Sequence, residues 1–220
     1  MNNKLWYIQQ LDLFKGLAKE KLHTIESLLA MKEYYKREVI FEPGDKDKVF
    51  IVKTGQVELY QLNPSGKKAI IERLLPGSIF GDLGTDSPSD IFVEATVESY
   101  VCSINKNKFF SLVSQHPELS EKLMKSLFSR LVAVEKRMSS VATDNAFQRF
   151  IKLLLSLEKT TEKNNAVLSD HFTHEELAQM LGISRQTVTT LINQLEKKGL
   201  IKRTNKTLIF LPSQLESLVK

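Results

Sequence analysis

The sequence predicts an α+β chain in three parts: a sheet-rich front half, one long helix, and a C-terminal pair of helices followed by a hairpin. Three observations predict this division. Glycines recur at steps of eleven from Gly44 to Gly77, with short apolar runs between them. Neither glycine nor a second proline interrupts the chain from Pro117 to about Thr143. A helix-turn-helix pattern begins near residue 173. The expected boundaries are 1–116, 117–144 and 145–220.

Composition excludes several classes of protein. The 220 residues are 42% hydrophobic and 26% charged, which is ordinary globular usage and argues against global disorder. No apolar run approaches the roughly 18 residues of a membrane span, and the basic start lacks the apolar stretch of a signal peptide. The single cysteine, Cys102, excludes an internal disulfide framework and a zinc site or iron–sulfur cluster built from several cysteines. We therefore expect a protein of the reducing cytoplasm, without membrane contact.

The net charge of +5 lies mostly in the C-terminal third. Residues 1–116 carry 15 Lys and Arg against 15 Asp and Glu, whereas residues 146–220 carry 11 against 7. Between Arg185 and Lys206 the count is six basic residues to one acidic residue. Such asymmetry indicates that this part meets a polyanion, most simply nucleic acid, although a solvated basic face has the same composition.

The front half has the pattern of an antiparallel sandwich or barrel. A short helix is predicted from Leu22, Ile25 and Leu29, followed by the polar stretch Lys32–Arg37. Glycine-containing turns then separate short apolar runs, as in antiparallel sheets. The predicted strands are Val39–Phe41, Val49–Val52, Val57–Tyr60 and Ala69–Ile71, closed by a second strand pair, Phe92–Ala95 and Tyr100–Ile104.

The long helix carries an apolar seam at 4-3-4-3 spacing, which is the a/d pattern of a coiled coil. Packing of this stripe on the front domain is the alternative. Because the helix links two domains and the seam runs along most of it, we predict a parallel homodimer. The seam residues are Leu127, Leu131, Val134, Met138 and Val141.

The C-terminal part has the spacing of a winged helix-turn-helix. After a helix at Phe147–Leu157 and a polar loop at Lys159–Asp170, Thr173 and Glu176 form a capping box. Gly182 suits the tight turn, and Ser184 can cap a second helix that runs from Arg185 to about Lys197 and ends at Gly199. A hairpin follows, with strands at Leu200–Ile201 and Leu208–Phe210 around a turn at Asn205–Lys206.

The second helix of such a motif enters the major groove of DNA. Arg185 can donate two hydrogen bonds to guanine and Gln186 can pair with adenine. Thr189 and Thr190 can contact thymine methyls or phosphate, and basic wing residues suit phosphates. For Gln186 and Thr187, solvation on the helix surface is the alternative. The candidate DNA-binding residues are Thr173, Ser184, Arg185, Gln186, Thr187, Thr189, Thr190, Lys202, Arg203 and Lys206.

Residues 10–212 resemble the CRP/FNR family of bacterial regulators. The resemblance rests on Gly44-Asp45, on Ile51…Gly55-Gln56-Val57, on the run from Gly77 to Leu83, and on Leu181–Val188. It implies a cyclic-nucleotide-binding-type β-roll (a double-stranded jelly roll), a long dimerisation helix and a C-terminal winged helix-turn-helix. It also implies effector-dependent transcription control at a palindromic site in double-stranded DNA, with RNA polymerase as a partner.

The sequence departs from the pattern of the family members that bind cyclic AMP, so we expect a different effector. In members that bind it, a glutamate follows the equivalent of Gly81, and an arginine some ten residues later holds the cyclic phosphate. Here Asp82 stands at the first place, and Gly81–Asn105 contains no lysine or arginine. Val134 and Glu135 replace the paired hydroxyl residues that contact adenine. The alternative is a cyclic-AMP-responsive regulator with an atypical pocket. The candidate effector pocket is Gly81, Asp82, Leu83, Gly84, Ser89, Val134 and Glu135.

The other sensing chemistries known in the family, which use an iron–sulfur cluster or haem, match this sequence no better than cyclic AMP binding does. The iron–sulfur cluster of FNR-type members needs several cysteines, and the cysteine and histidine of the carbon-monoxide-sensing type are replaced by Gly81 and Leu83. Haem held by His23 or His116 stays open but has no further support. His171 and His174 have the spacing of a metal pair, yet their place at a helix cap favours solvation. Cys102 is expected to be a buried apolar residue.

No recognisable catalytic motif is present, so we predict that the chain is not an enzyme. A ligand-binding module whose basic tail contacts another protein remains the second alternative. Whether an effector is needed, which operator is read, and whether genes are activated or repressed stay open.

Overall fold

The computed structural model describes residues 11, 13–81, 83, 90–160, 166–168, 172–204 and 207–219. The chain divides into two compact units, Met1–Leu131 and Val132–Lys220. The helices are α1 (Lys19–Leu28), α2 (Lys106–Gln115), α3 (Pro117–Thr143), α4 (Ala146–Ser156), α5 (His174–Leu181), α6 (Arg185–Lys197) and α7 (Pro212–Glu216). The strands are β1 (Ala30–Tyr34), β2 (Val39–Phe41), β3 (Lys48–Thr54), β4 (Val57–Leu62), β5 (Lys68–Leu74), β6 (Ile79–Gly81), β7 (Phe92–Ala95), β8 (Ser99–Asn105), β9 (Glu158–Thr160), β10 (Ala166–Leu168), β11 (Ile201–Thr204) and β12 (Thr207–Phe210).

The first unit is a β-roll of two four-stranded antiparallel sheets, in the orders β1-β8-β3-β6 and β2-β7-β4-β5. One apolar core draws residues from both sheets, including Phe50 and Val52 of β3. The alternate residues of the same strand, Val49 and Ile51, pack instead with apolar residues of α1, α2 and the start of α3. Strand β3 is therefore covered on both faces, and its apolar run is continuous because successive side chains point to opposite faces.

Two predictions for the front half need correction. The runs Phe92–Ala95 and Tyr100–Ile104 do form strands, but they are not partners: β7 pairs with β2 and β4, whereas β8 pairs with β1 and β3. The polar stretch Lys32–Arg37 begins inside a strand, β1. This strand lies at the edge of its sheet and most of its residues are exposed or half-buried, so it lacks the apolar run that identifies covered strands.

Gly55, at the turn between β3 and β4, is required for both its backbone and its lack of a side chain. Its φ is +86°, and a Cβ there would lie 2.2 Å from Ser99 Oγ and 2.5 Å from the Glu98 carbonyl oxygen. Gly44 has a similar φ of +94° with open space around it, so it isolates the backbone effect.

We expect Gly44→Ala to lower the free energy of unfolding by about 1 kcal/mol, because a left-handed conformation disfavours a Cβ. Gly55→Ala should lower it by about 3 kcal/mol or more, since overlap with strand β8 is added to the same backbone effect. Urea unfolding followed by circular dichroism checks both values. Equal losses for the two variants would contradict the packing argument.

The long helix α3 has the predicted bounds but two different environments. Leu119 in its first turn is completely buried in the core of the first unit, and Lys21 bridges to Glu118 at 2.7 Å. The five seam residues are each between 45% and 68% exposed in the single chain. Among the described helices, none is both long and apolar enough to cross a membrane.

The second unit packs helices and a sheet around one core that contains Phe150, Leu177, Ile192 and Phe210. The predicted helix-turn-helix and wing elements are present. The prediction of a loop across Lys159–Asp170 is wrong in part, because β9 and β10 form there and extend the wing hairpin into a sheet of order β11-β12-β10-β9. These strands are short and lie among polar residues, so their sequence lacks a clear apolar signal. The turn predicted at Asn205–Lys206 lies outside the described residues.

Candidate functional site

Helix α5 begins at a capping box and ends at a glycine, as predicted. The Glu176 N–H donates to Thr173 Oγ1 at 3.1 Å, and the Thr173 N–H donates to Glu176 Oε2 at 2.7 Å. Gly182 then takes a left-handed conformation with φ of 64°, and the Ile183 N–H donates back to the Ala178 carbonyl at 3.1 Å. These contacts provide hydrogen-bond partners for backbone groups at both ends of α5, and they fix the bend that leads into α6.

Helix α6 has one buried face and one exposed face. Val188, Leu191, Ile192 and Leu195 are buried in the core of the second unit. Arg185, Gln186 and Thr190 are exposed, so three predicted base-contacting residues lie on the surface of the first two turns. The helix begins where Ser184 Oγ accepts the Thr187 N–H at 3.0 Å.

The predicted hydroxyl contacts are already hydrogen-bonded within the unit. Thr189 and Thr190 donate to the carbonyls of Arg185 and Gln186, each at 3.0 Å. The hydroxyls of Ser184 and Thr187 lie 2.8 Å apart, and that of Thr173 belongs to the capping box. These five residues therefore first stabilise the ends and the first turns of the two helices.

His174, which was predicted to be solvated, contacts helix α6. Its Nδ1 lies 2.8 Å from Thr189 Oγ1. Burial of the ring and the nearby charges of Arg203 and Arg185 lower the pKa of His174 from its ordinary value. His171, its predicted neighbour, lies outside the described residues. The interpretation of His174 as merely solvated was wrong, because residue spacing does not reveal a contact between helices.

The basic residues of the wing differ in their surroundings. Lys202 is exposed. Arg203 Nη2 donates to Asn193 Oδ1 at 2.7 Å and to Glu196 Oε2 at 2.6 Å, which ties β11 to α6. The hydrogen bond from Arg203 lowers the pKa of Glu196. Lys206 lies outside the described residues.

The candidate effector residues are divided between the two units. In the first unit, Gly81 ends β6 with φ of +114°, and a Cβ there would lie 2.5 Å from the Lys48 carbonyl oxygen. Leu83 packs against the helix-covered core of that unit. Val134 and Glu135 are exposed residues of the second unit. Asp82, Gly84 and Ser89 lie outside the described residues.

Arg130 is bonded to the strand that carries the candidate residue Gly81, and it was not predicted from the sequence. Its Nε donates to Glu72 Oε2 at 2.8 Å, its Nη2 lies 2.7 Å from the same oxygen, and its Nη1 donates to the Ile79 carbonyl at 3.2 Å. The guanidinium thus joins α3 to β5 and β6, close to Gly81. Arg130 lies far outside 81–105, where the resemblance would place a cation. The sequence did carry one signal for Arg130. It lies four residues before the candidate effector residue Val134, and residues i and i+4 share a helix face.

The remaining histidines and the cysteine have local partners or are buried. His23 Nδ1 lies 3.6 Å from Glu26, and His116 Nδ1 lies 4.0 Å from Glu118. Cys102 is buried in β8, as predicted. In the part of the chain that the structure describes, no cluster of three or more His, Cys, Asp or Glu residues is suited to hold a metal ion.

Comparison with known proteins identifies both units. The family model of the cyclic nucleotide-binding domain matches residues 31–116, and that of the Crp-like helix-turn-helix domain matches residues 148–218. A CRP-like cAMP-activated global transcriptional regulator of Mycobacterium tuberculosis is 24% identical over 208 residues, covering 92% of this chain and 93% of the relative. A probable transcriptional regulator of Lacticaseibacillus casei is 25% identical, covering 88% and 89%.

Solved structures show the same fold. A CooA mutant from Carboxydothermus hydrogenoformans superposes with a TM-score of 0.77 at 23% identity, covering 90% of each chain. The c-di-GMP responsive global regulator CLP of Xanthomonas campestris gives a TM-score of 0.76 at 18% identity, covering 88% of this chain and 99% of that chain. The relatives are transcriptional regulators and not enzymes, in agreement with the prediction from sequence. With a cyclic nucleotide-binding domain ahead of a Crp-like helix-turn-helix domain, this chain belongs to the CRP/FNR family of transcriptional regulators.

Proposed function

We propose that the chain acts as a homodimeric, sequence-specific DNA-binding regulator, controlled by an effector other than cyclic AMP bound in the β-roll. The observation that carries the DNA-binding part is the exposure of Arg185 and Gln186 on the first turn of α6, opposite a buried face. A helix held in this way presents its N-terminal side chains to the base edges of the major groove.

The candidate contacts fall into two groups. Arg185, Gln186, Thr189 and Thr190 lie on α6 and are proposed to face bases, the two threonines through their methyl groups because their hydroxyls bond within the helix. Thr173, Ser184, Thr187, Lys202, Arg203 and Lys206 are proposed to face phosphates, which position the protein without reading sequence.

The dimer proposal rests on the exposed seam of α3. Five apolar side chains at a/d spacing, each about half exposed or more, form a stripe that a single chain leaves in water. A second copy in parallel would bury the stripe by knobs-into-holes packing. We assign residues 117–144 to this dimerisation helix, between an effector-sensing domain at 1–116 and a winged helix-turn-helix DNA-binding domain at 145–220.

The effector proposal rests on the charges around Gly81. Arg130 is held by Glu72 at 2.7 Å, so a cyclic phosphate that approached it would have to displace a carboxylate. The names of the relatives support a family in which effectors differ, since one is cAMP-activated and another is c-di-GMP responsive. Native mass spectrometry and an absorption spectrum of the purified protein would reveal a retained small molecule or haem.

Footprinting on genomic fragments tests the DNA-binding proposal. We expect protection of a twofold-related site whose half-site centres lie about one helical turn apart. Absence of any protected site, at low salt and with cell extract added, would refute the proposal and favour a module that contacts another protein. Retention of RNA polymerase on the occupied site would support polymerase as a partner, and fractionation would test the expected cytoplasmic location.

We expect cyclic AMP to leave DNA binding nearly unchanged. At about 1 mM ligand, the dissociation constant for the protected site should change by less than about twofold, because no basic residue replaces the missing phosphate partner in 81–105. Fluorescence anisotropy of labelled duplex measures this. A saturable tenfold increase in affinity would show that the pocket is atypical but responsive to cyclic AMP.

A further inference from the structure

His174 lies where helices α5 and α6 of the helix-turn-helix meet. It is the first residue of α5, and its Nδ1 is 2.8 Å from Thr189 Oγ1 on α6. The Thr189 hydroxyl has one hydrogen, which it donates to the Arg185 carbonyl at 3.0 Å. The oxygen must therefore accept from His174, so the proton of the neutral ring is on Nδ1 and Nε2 keeps its lone pair.

This tautomer separates the structural role of the ring from its titration. Protonation occurs at Nε2 and leaves the Nδ1–H bond to Thr189 in place. The charged ring gains one new donor and one positive charge, while α5 and α6 stay linked. A change of pH can therefore alter the charge of this surface without disturbing the helix that carries Arg185.

Positive charges from two other elements face the ring. Burial of the ring has the largest effect and lowers the pKa of His174. The charges of Arg203 on β11 and Arg185 on α6 lower this pKa further. On its own helix, Glu176 closes the capping box and Glu175 accepts from Gln179 at 3.4 Å. Burial and the two arginines together favour the neutral form of the imidazole in the free protein.

We propose that His174 is a phosphate-contacting residue of the DNA interface and that its Nε2 takes up a proton when DNA binds, so that affinity increases as pH falls. The inference rests on the proposed DNA-binding function. A phosphate that contacts His174 would offset the repulsion that Arg203 and Arg185 exert on the charged ring, and it would accept the Nε2–H hydrogen bond.

The direction and size of the effect follow from linkage. Binding takes up a proton only between the pKa of His174 in the free protein, which burial and the two arginines lower, and the higher pKa that a phosphate contact would give it in the complex. Above that window the ring is neutral in both states, and below it the ring is charged in both. One histidine per subunit changes the affinity by at most tenfold per pH unit, and we expect about three- to tenfold per subunit between about pH 7.5 and 5.5.

Fluorescence anisotropy with the footprinted duplex, at constant ionic strength, measures the dissociation constant across this range. His174→Asn is the test variant, because the asparagine amide can still donate to Thr189 but does not titrate. His171→Gln is the matched control. We expect the wild type and the control to bind more tightly as pH falls, and His174→Asn to bind with little pH dependence.

An unchanged pH profile in His174→Asn, or a flat profile in the wild type, would overturn the inference. NMR titration of the wild-type His174 ring, with and without duplex, gives a second readout that does not depend on the variant folding. We expect its pKa to increase on binding, and no increase would equally overturn the inference. Failure to bind any duplex at any pH would instead refute the proposed function itself.

Discussion

Arg185→Ala is expected to abolish preference for the natural site while leaving salt-dependent binding to any duplex. A bidentate contact between arginine and guanine contributes about 1–3 kcal/mol of discrimination. A symmetric dimer would be deprived of this interaction in both half-sites, so affinity for the specific site should fall by about 100-fold or more. Competition between the footprinted duplex and a scrambled duplex, at one fixed salt concentration, measures this change.

Lys202→Ala is the matched control for the removal of positive charge. Lys202 is also exposed, but it lies on the wing strand β11. We expect it to weaken binding to both duplexes by similar factors and to reduce the dependence of log affinity on log salt by about one for each phosphate interaction removed. If Arg185→Ala behaved like Lys202→Ala, Arg185 would bind phosphate and would not read bases.

A double substitution in the seam, Leu131→Gln with Met138→Gln, is expected to separate the proposed dimer. Burying a leucine or methionine side chain contributes about 1.5–3 kcal/mol, and each substitution occurs twice in a homodimer. The dissociation constant of the dimer should therefore rise by about 100-fold or more for each position changed. Sedimentation equilibrium measures this constant directly.

Lys136→Gln provides the control, because Lys136 is exposed and lies on the helix face away from Val134. It should dimerise like the wild type. Circular dichroism should show equal helix content in both variants, since the seam is exposed in the single chain and the substitutions leave the core packing intact. A double variant that stays fully dimeric at low concentration would show that another surface holds the two chains together.

Sequence patterns predicted those parts of the fold in which local chemistry and tertiary environment agree. Strand β3 is rich in apolar residues because both of its faces are covered, and Gly182 stands where a left-handed turn ends α5. The bounds of α6 follow from Ser184 at its start and from Gly199 just after its end. In each case burial or the local backbone conformation strongly restricts the residue types, so the pattern is visible in the sequence of that segment alone.

The features that were not predicted depend on residues distant in sequence. Strand β1 is polar because it lies at a sheet edge, and β9 and β10 are too short to show a period. Arg130 is linked to the candidate effector region only through its hydrogen bonds with β5 and β6. Likewise, the role of His174 depends on Thr189, which belongs to the next helix. Hydrophobic periodicity carries no information about such pairings.

The pairing of β10 with β12 has a consequence for the folding of the second unit. Ala166 and Val167 lie opposite Phe210 and Ile209, which follow α5 and α6 in the sequence, and Phe210 is also a core residue of the unit. Such nonlocal pairing slows folding, because a long loop must close before the strands can pair. During synthesis, therefore, β10 and β12 cannot pair until residues 207–210 have left the ribosome, so this sheet closes only after α5 and α6 have been made.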